Sequence, residues 1–288
     1  MTGPGSLPTV SALLALLSSL VWGTSDFVAG VVSRRLRPLV VIAWSQAIAL
    51  VLLTAAVLVS GSLRLADGWV PWAVLAGVSG SLGLLAFYAA LATGTMGVVA
   101  PIAALGAGIP VLLGVLSGET PSPVAWAGIG VAIVGVVLAS GPELHQGLSA
   151  RPVLLACLAA LGFGVALFAI DRGARASLLH LLWGMRLTSC IGYAALALAV
   201  RSVGGIGRRD LPVLAAIGAG DLLANALFGL ASSSGLVSIT AVLGSLYPVA
   251  TILLARYYLH ERLSRIQLVG VGLAMLGIVL IAGFAHAG

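Results

Sequence analysis

Residues 97–113 read "GVVAPIAALGAGIPVLL", and residues 235–251 read "GLVSITAVLGSLYPVAT". With Pro110 laid on Pro248, Gly97 falls on Gly235, Val99 on Val237, Ala103 on Ala241, Leu105 on Leu243, Gly106 on Gly244 and Val111 on Val249. Further along, Glu119 meets Glu261, and Gly128, Ala132, Gly135, Leu138 and Gly141 meet Gly270, Ala274, Gly277, Leu280 and Gly283. The offset grows from 138 to 142 between the two blocks, an insertion of four residues, or about one helical turn. Earlier in each copy, Trp22 and Gly23 fall on Phe163 and Gly164, and Trp44 falls on Trp183. The chain is a tandem duplication, with units expected at residues 1–141 and 142–288.

Composition identifies the medium in which these units fold. Of 288 residues, 60% are hydrophobic, only 8% are charged and 38 are glycine, far from the averages of soluble domains. A hydrocarbon core of about 30 Å takes about 20 apolar helical residues per crossing, and irregular backbone facing lipid is excluded because its polar groups go unpaired. Apolar runs between Arg, Pro, Gly and Ser punctuation predict ten segments, at 10–32, 39–60, 70–92, 97–117, 123–140, 153–171, 179–200, 211–230, 236–259 and 265–284. The first run has no basic stretch before it and continues to Val32, too long for a signal peptide, so it is expected to be the first span.

The expected fold is therefore an all-α membrane protein of ten transmembrane helices in two five-helix repeats. An odd number of spans per unit inverts the second copy relative to the first. Charge points the same way. Arg34, Arg35, Arg37, Arg151, Arg201, Arg208, Arg209, Arg262 and Arg265 follow segments one, five, seven and nine, while the opposite loops hold only Arg64, Arg172 and Arg175. The positive-inside rule makes the first set cytoplasmic and puts both termini outside, with a bacterial inner membrane as the expected location.

All 14 basic residues are arginine. Without lysine there is no Walker A phosphate loop and no lysine Schiff base, so ATP hydrolysis through that motif and pyridoxal chemistry are excluded. The net charge of +6 resides between apolar segments, where it directs orientation, and nucleic acid is not an expected partner. Cys157 and Cys190 lie inside apolar segments, where packing is expected rather than a disulfide. His145, His180, His260 and His286 lack any metal-binding spacing, and no metal or cofactor is expected. No nucleophile with a base is visible, so the chain is not expected to be an enzyme; an intramembrane enzyme and a passive channel are the rivals from other classes.

A carboxylate in hydrocarbon costs on the order of 3 kcal/mol by insertion scales and normally faces the bundle interior. Asp26 sits in "WGTSDFVAG", residues 22–30, and is expected to face a cavity. Two roles stand open for it: a proton or cation site at which protonation and substrate binding compete, or a structural aspartate hydrogen-bonded by Ser25 or Thr24. Asp221 lies near the middle of segment eight, with Asn225 four residues on and hence on the same face. Both are expected on a cavity wall, an interhelical hydrogen bond being the alternative. Arg186, the one arginine well within a span, either pairs with Asp221, holds an anionic group or snorkels to the outer headgroups. Pairing would make Asp221 a structural ion rather than a titrating one. Pro110 and Pro248 each remove a helix hydrogen bond and are expected to kink segments four and nine near a binding site, with Pro101 a second break in segment four. Trp22, Tyr88 and Tyr247 are candidates for stacking on substrate, with packing or an interfacial belt as the alternative. The matched glycines of segments five and ten fit close helix contact.

Three stretches, "LVWGTSDFVAG" at 20–30, "GAGIPVLLGVLSGETPSPVAWAGIGVAIVGVVLAS" at 106–140 and "SLYPVATILLARYYLHERLSRIQLVGVGLAMLGIVLIAG" at 245–283, carry a resemblance. With the repeat, they resemble the drug/metabolite transporter superfamily, specifically its ten-span EamA-type members built from two EamA repeats. The resemblance implies transport of amino acids, drugs or other metabolites. It also implies a central cavity lined by the first four helices of each half, with the fifth and tenth outside it. Related small multidrug resistance transporters use an acidic residue in their first helix, which implies a role for Asp26; its repeat partner here is Leu167. The expected function is secondary active export of a small organic metabolite, an amino acid or amphipathic drug, by alternating access, with protons as a candidate coupling ion. An ion-independent uniporter or exchanger is the alternative. The expected partners are a small-molecule substrate and the lipid bilayer, with monomer and homodimer both open.

Overall fold

The computed structural model describes residues 6–61, 68–109, 122–145, 150–199, 201, 205–234 and 243–283, and the regular structure among them is helical. The elements are α1 (Ser6–Ser33), α2 (Pro38–Ser60), α3 (Val70–Thr93), α4 (Met96–Ala104), α5 (Pro123–His145), α6 (Arg151–Ala199), α7 (Leu211–Ser234), α8 (Tyr247–Tyr258) and α9 (Arg265–Gly283). Proline marks several starts, since its fixed φ suits the first turn and its missing N–H would have no partner there. Pro38 and Pro123 open α2 and α5, and Pro71 and Pro248 lie in the first turns of α3 and α8. α2 stops at Gly61, which takes the left-handed conformation (φ 59°) and donates its N–H to the Leu58 carbonyl. α4 contains Pro101 and passes into a 3₁₀ turn at Leu105–Gly108. The remainder of predicted segment four, Pro110 included, lies outside the described residues.

The loop predicted between segments six and seven, residues 172–178, is not formed. Helix runs up to and away from Ser177, the one residue of α6 with non-helical geometry (φ −165°, ψ 111°). Arg175 pairs with Asp171 at 2.9 Å, one turn apart, which supports helix through a stretch whose polar residues suggested a loop. The chain nonetheless reverses. Before Ser177, Gly83 meets Phe163 and Gly80 meets Ala166, an antiparallel register with α3. After it, Gly77 meets Thr188 and the Tyr193 hydroxyl donates to the Ser81 carbonyl at 2.9 Å, a parallel register. α6 is thus two limbs joined by a one-residue turn, with α3 packed along both. A single straight helix of that length would extend about 70 Å, more than twice the hydrocarbon thickness.

The duplication is visible in the packing. A Cβ added to Gly135 would lie 2.8 Å from the Cα of Ala274, and one added to Gly277 would lie 2.7 Å from the Cα of Ala132. Gly135 matches Gly277 and Ala132 matches Ala274 in the repeat, so the α5–α9 contact is self-complementary and its helices run antiparallel. Likewise Gly23 packs against Tyr247, and its repeat partner Gly164 packs against Ile109, the partner of Tyr247. Among the described residues five helices, α1, α2, α3, α6 and α7, are long and apolar enough to cross a membrane.

Larger side chains at the seam glycines must push two backbones apart. Gly135→Leu and Gly277→Leu are each expected to cost stability on the scale of overpacking, about 1–3 kcal/mol, read as a lower melting temperature in detergent. Gly130 and Gly272 have open space around them, and the same change there should leave melting unaltered; an equal loss at all four positions would refute the seam.

Candidate functional site

α1 and α7 join the same charged end to the same cavity, running in opposite directions. In α1, Trp22 and Asp26 border a cavity, Gly30 packs on Leu91 and Met96, and Arg34 and Arg35 end the run. In α7 the order is Asp210 just before the helix, then buried Leu214 and Ile217, then Asp221, Asn225 and Phe228 on the cavity. The basic end is fastened by Arg34 to Glu261 at 3.0 Å and Arg35 to Asp210 at 2.6 Å, and Glu261 also accepts the Gly97 N–H at 3.4 Å. The Gly207 N–H first, and then Arg35, hold the Asp210 carboxyl below its usual range. The contribution of that contact is therefore present at neutral pH and lost only as pH falls through the lowered value. Above these latches, Phe27, Phe87, Leu91, Met96, Ile102 and Leu214 belong to one buried apolar cluster that separates the basic end from the cavity.

The cavity encloses about 860 Å³ of space free of protein atoms, part of it open. Its walls come from α1, α3, the α4 region, both limbs of α6, α7 and the approach to α8, and include Trp22, Asp26, Phe163, Arg186, Asp221, Asn225, Phe228 and Tyr247. α5 and α9 contribute nothing to it among the described residues, as the resemblance implied. α2 departs from that expectation, for none of its residues lines the cavity.

Arg186 does not snorkel. It is 2% exposed, and its Nη2 lies 2.7 Å from Asp221 Oδ2. Its Nη1 donates to Gln46 Oε1 at 2.5 Å. Gln46 Nε2 in turn donates to Asp221 Oδ2 at 3.1 Å, and Asn225 Nδ2 donates to Asp221 Oδ1 at 3.0 Å. A buried ion pair seldom outperforms an apolar replacement of both partners, yet removing one partner strands the other at a cost of about 3–5 kcal/mol. Neither Arg186 Nε nor Nη2 has a hydrogen-bond partner among the described residues, so the Nη2–Asp221 contact is an ion pair alone.

Asp26 is placed differently. It is buried, it makes no ion pair among the described residues, and its one side-chain bond comes from the Tyr88 hydroxyl at 3.5 Å. Tyr88 stands behind the wall rather than on it. α1 and α7 approach closely where Ser25 meets Gly220, and the Ser18 hydroxyl donates to the Ala224 carbonyl at 2.8 Å. Asp26 and Asp221 each follow a residue of that contact, so both carboxylates reach the same cavity. Trp22 packs on Phe228 with ring centroids 5.6 Å apart, and the Tyr247 hydroxyl donates to the Ala100 carbonyl at 3.4 Å. Pro248 begins α8 directly after the turn at 245–246 that borders the cavity.

Sequence reasoning thus named six wall residues, together with Tyr88 behind the wall, and missed Gln46. The signal was present, since Gln46 is the one carboxamide in an apolar second segment. Among the described residues no three His, Cys, Asp or Glu side chains converge as for a metal ion.

A family model described as the EamA-like transporter family matches residues 9–141 and 150–283. No curated protein sequence matches the chain. A solved structure described as "Crystal structure of protein" superposes with a TM-score of 0.70 at 20% identity, covering 96% of this chain and 98% of that one, a likeness of fold. Two matched repeats over nearly the whole length, on an apolar helical frame, mean that the chain belongs to the EamA-like transporter family, as an integral membrane transporter of a small molecule in the drug/metabolite transporter superfamily.

Proposed function

We propose that the protein exports a small organic metabolite with an apolar body and a cationic group, an amino acid or an amphipathic amine drug, by alternating access coupled to protons. The observation that carries this is the charge count of the cavity. Among the described residues its walls hold two carboxylates and one guanidinium, and the guanidinium is paired with Asp221. An ionised Asp26 in low dielectric needs a cation beside it, either a proton or the ammonium of a substrate. One carboxylate does not hold both, so loading one releases the other. Trp22, Phe163, Phe228 and Tyr247 offer ring faces to the apolar body or to the cation itself. Asn225 and Arg186 supply the polar wall, and the turn at 245–246 just before α8 interrupts the helical backbone beside the cavity, where a gate could form.

In this reading ten crossings form two inverted five-helix units, residues 1–141 and 142–288. The antiparallel α5–α9 seam and the reversal at Ser177 support it. The arginine-rich end faces the cytoplasm of a bacterial inner membrane and both termini lie outside. The latched basic end then corresponds to a state closed toward the cytoplasm. The Tyr88 bond favours a second reading, in which Asp26 is a structural residue of an ion-independent uniporter or exchanger.

The two readings separate in proteoliposomes, with substrates first found by a thermal-shift screen, because a ligand that binds the native form raises its apparent stability. Transport is expected to respond to an imposed pH gradient and Asp26→Asn to abolish the response; gradient dependence that survives the substitution would remove Asp26 from the coupling step. The latches yield a separate expectation. In a Cys157→Ser, Cys190→Ser background, an Ala103→Cys reporter on the cavity wall should react faster with an impermeant maleimide from the basic side once Arg34 and Arg35 are both changed to Ala. An unchanged rate would mean that those pairs do not hold that end closed.

A further inference from the structure

We infer that Gln46 is a positioning residue of the transport site, which keeps the Arg186–Asp221 pair permanently charged and leaves Asp26 as the one exchangeable charge in the cavity. This rests on the proposed function above and adds to it a residue that does not border the cavity. Gln46 is 2% exposed, near the middle of α2, and its amide meets both members of the pair. The orientation of that amide is dictated by its partners. A guanidinium offers only donors and an ionised carboxylate only acceptors, so Oε1 must face Arg186 and Nε2 must face Asp221. A flipped amide would set donor against donor and acceptor against acceptor.

The two carboxylates on the cavity differ in the partners that stand behind them. Asp221 Oδ2 accepts from Gln46 and forms an ion pair with Arg186, and Oδ1 accepts from Asn225, contacts that all favour the ionised form. Asp26 receives one long bond from Tyr88. Two carboxylates that border the same cavity are thereby driven apart in behaviour by what stands behind each of them. The bridge also spans the duplication, for Gln46 belongs to the first unit and its partners to the second. Its repeat partner is Met185, so the carboxamide has no counterpart in the other copy. A second bond between the same elements, Trp183 Nε1 to Thr54 Oγ1 at 3.1 Å, fixes α2 against the second limb of α6 one to two turns away. The other titratable groups around the pair are Asp26 of α1, Tyr88 of α3 and Cys190 and Tyr193 of α6, while Tyr247 of α8 stands by Asp26.

Infrared difference spectra of the reconstituted full-length protein, recorded against pH with no ligand added, read protonated carboxyl groups directly through their C=O stretch. The wild-type protein should show one buried titrating carboxyl, lost in Asp26→Asn and retained in Asp221→Asn. Gln46→Met, which keeps side-chain volume, and Gln46→Asn, which keeps the amide but falls short of both partners, should each reveal a second titrating carboxyl of comparable band area. That second band should vanish when Asp221→Asn is added. The inference is overturned if either Gln46 variant that folds titrates as the wild type does, or if Asp221→Asn alone removes the wild-type band. A wild-type band that survives in Asp26→Asn but disappears in neither Gln46 variant would instead refute the coupling role proposed for Asp26.

Discussion

The whole arrangement depends on how a low-dielectric interior accommodates Arg186. A guanidinium removed from water is tolerated only beside a carboxylate, and the chain places one there with residues from three helices. α6 supplies the cation, α7 the anion, and α2 the amide that ties them. Fixing these three side chains fixes how three helices meet, and with them one wall of the cavity. Asp26 approaches from α1, on the opposite unit, and the close contact of Ser25 with Gly220 brings it alongside without giving it a countercharge.

Scaffold and chemistry obey different symmetries here. The backbone contacts repeat: Gly135 on Ala274 mirrors Gly277 on Ala132, and Gly23 on Tyr247 mirrors Gly164 on Ile109. The polar groups at and behind the cavity do not. Asp26 stands opposite Leu167 in the repeat, Arg186 opposite Ala47 and Gln46 opposite Met185. Small residues at matched positions preserve the helix crossings in both copies, so the copies are free to diverge wherever a side chain points into the shared space.

Much of this was legible in the chain. Duplication, apolar segment lengths and the expense of a carboxylate in hydrocarbon led to the repeat and to Asp26, Asp221 and Asn225 as wall residues. The fate of Arg186 was left open because a single helix shows a residue's depth but not its neighbour, and snorkelling and pairing start from the same depth. Gln46 escaped for a related reason: an amide carries no net charge, so hydropathy barely registers it, and its worth lies entirely in two partners about 140 and 175 positions away. The turn at Ser177 was drawn too long because polar residues there suggested loop, whereas Asp171 and Arg175 sustain helix by pairing one turn apart.

The α5–α9 seam joins two helices that are counterparts in the repeat. Exchanging the two copies carries its Gly135–Ala274 contact into its Gly277–Ala132 contact, so the seam lies on the axis that exchanges them. If the copies trade conformations during a cycle, every off-axis contact is rewritten as its mirror, but a contact on the axis is carried into itself. The two glycine-bearing helices can therefore serve as a stationary axle, and the side chains lining them are free to be selected for tightness alone.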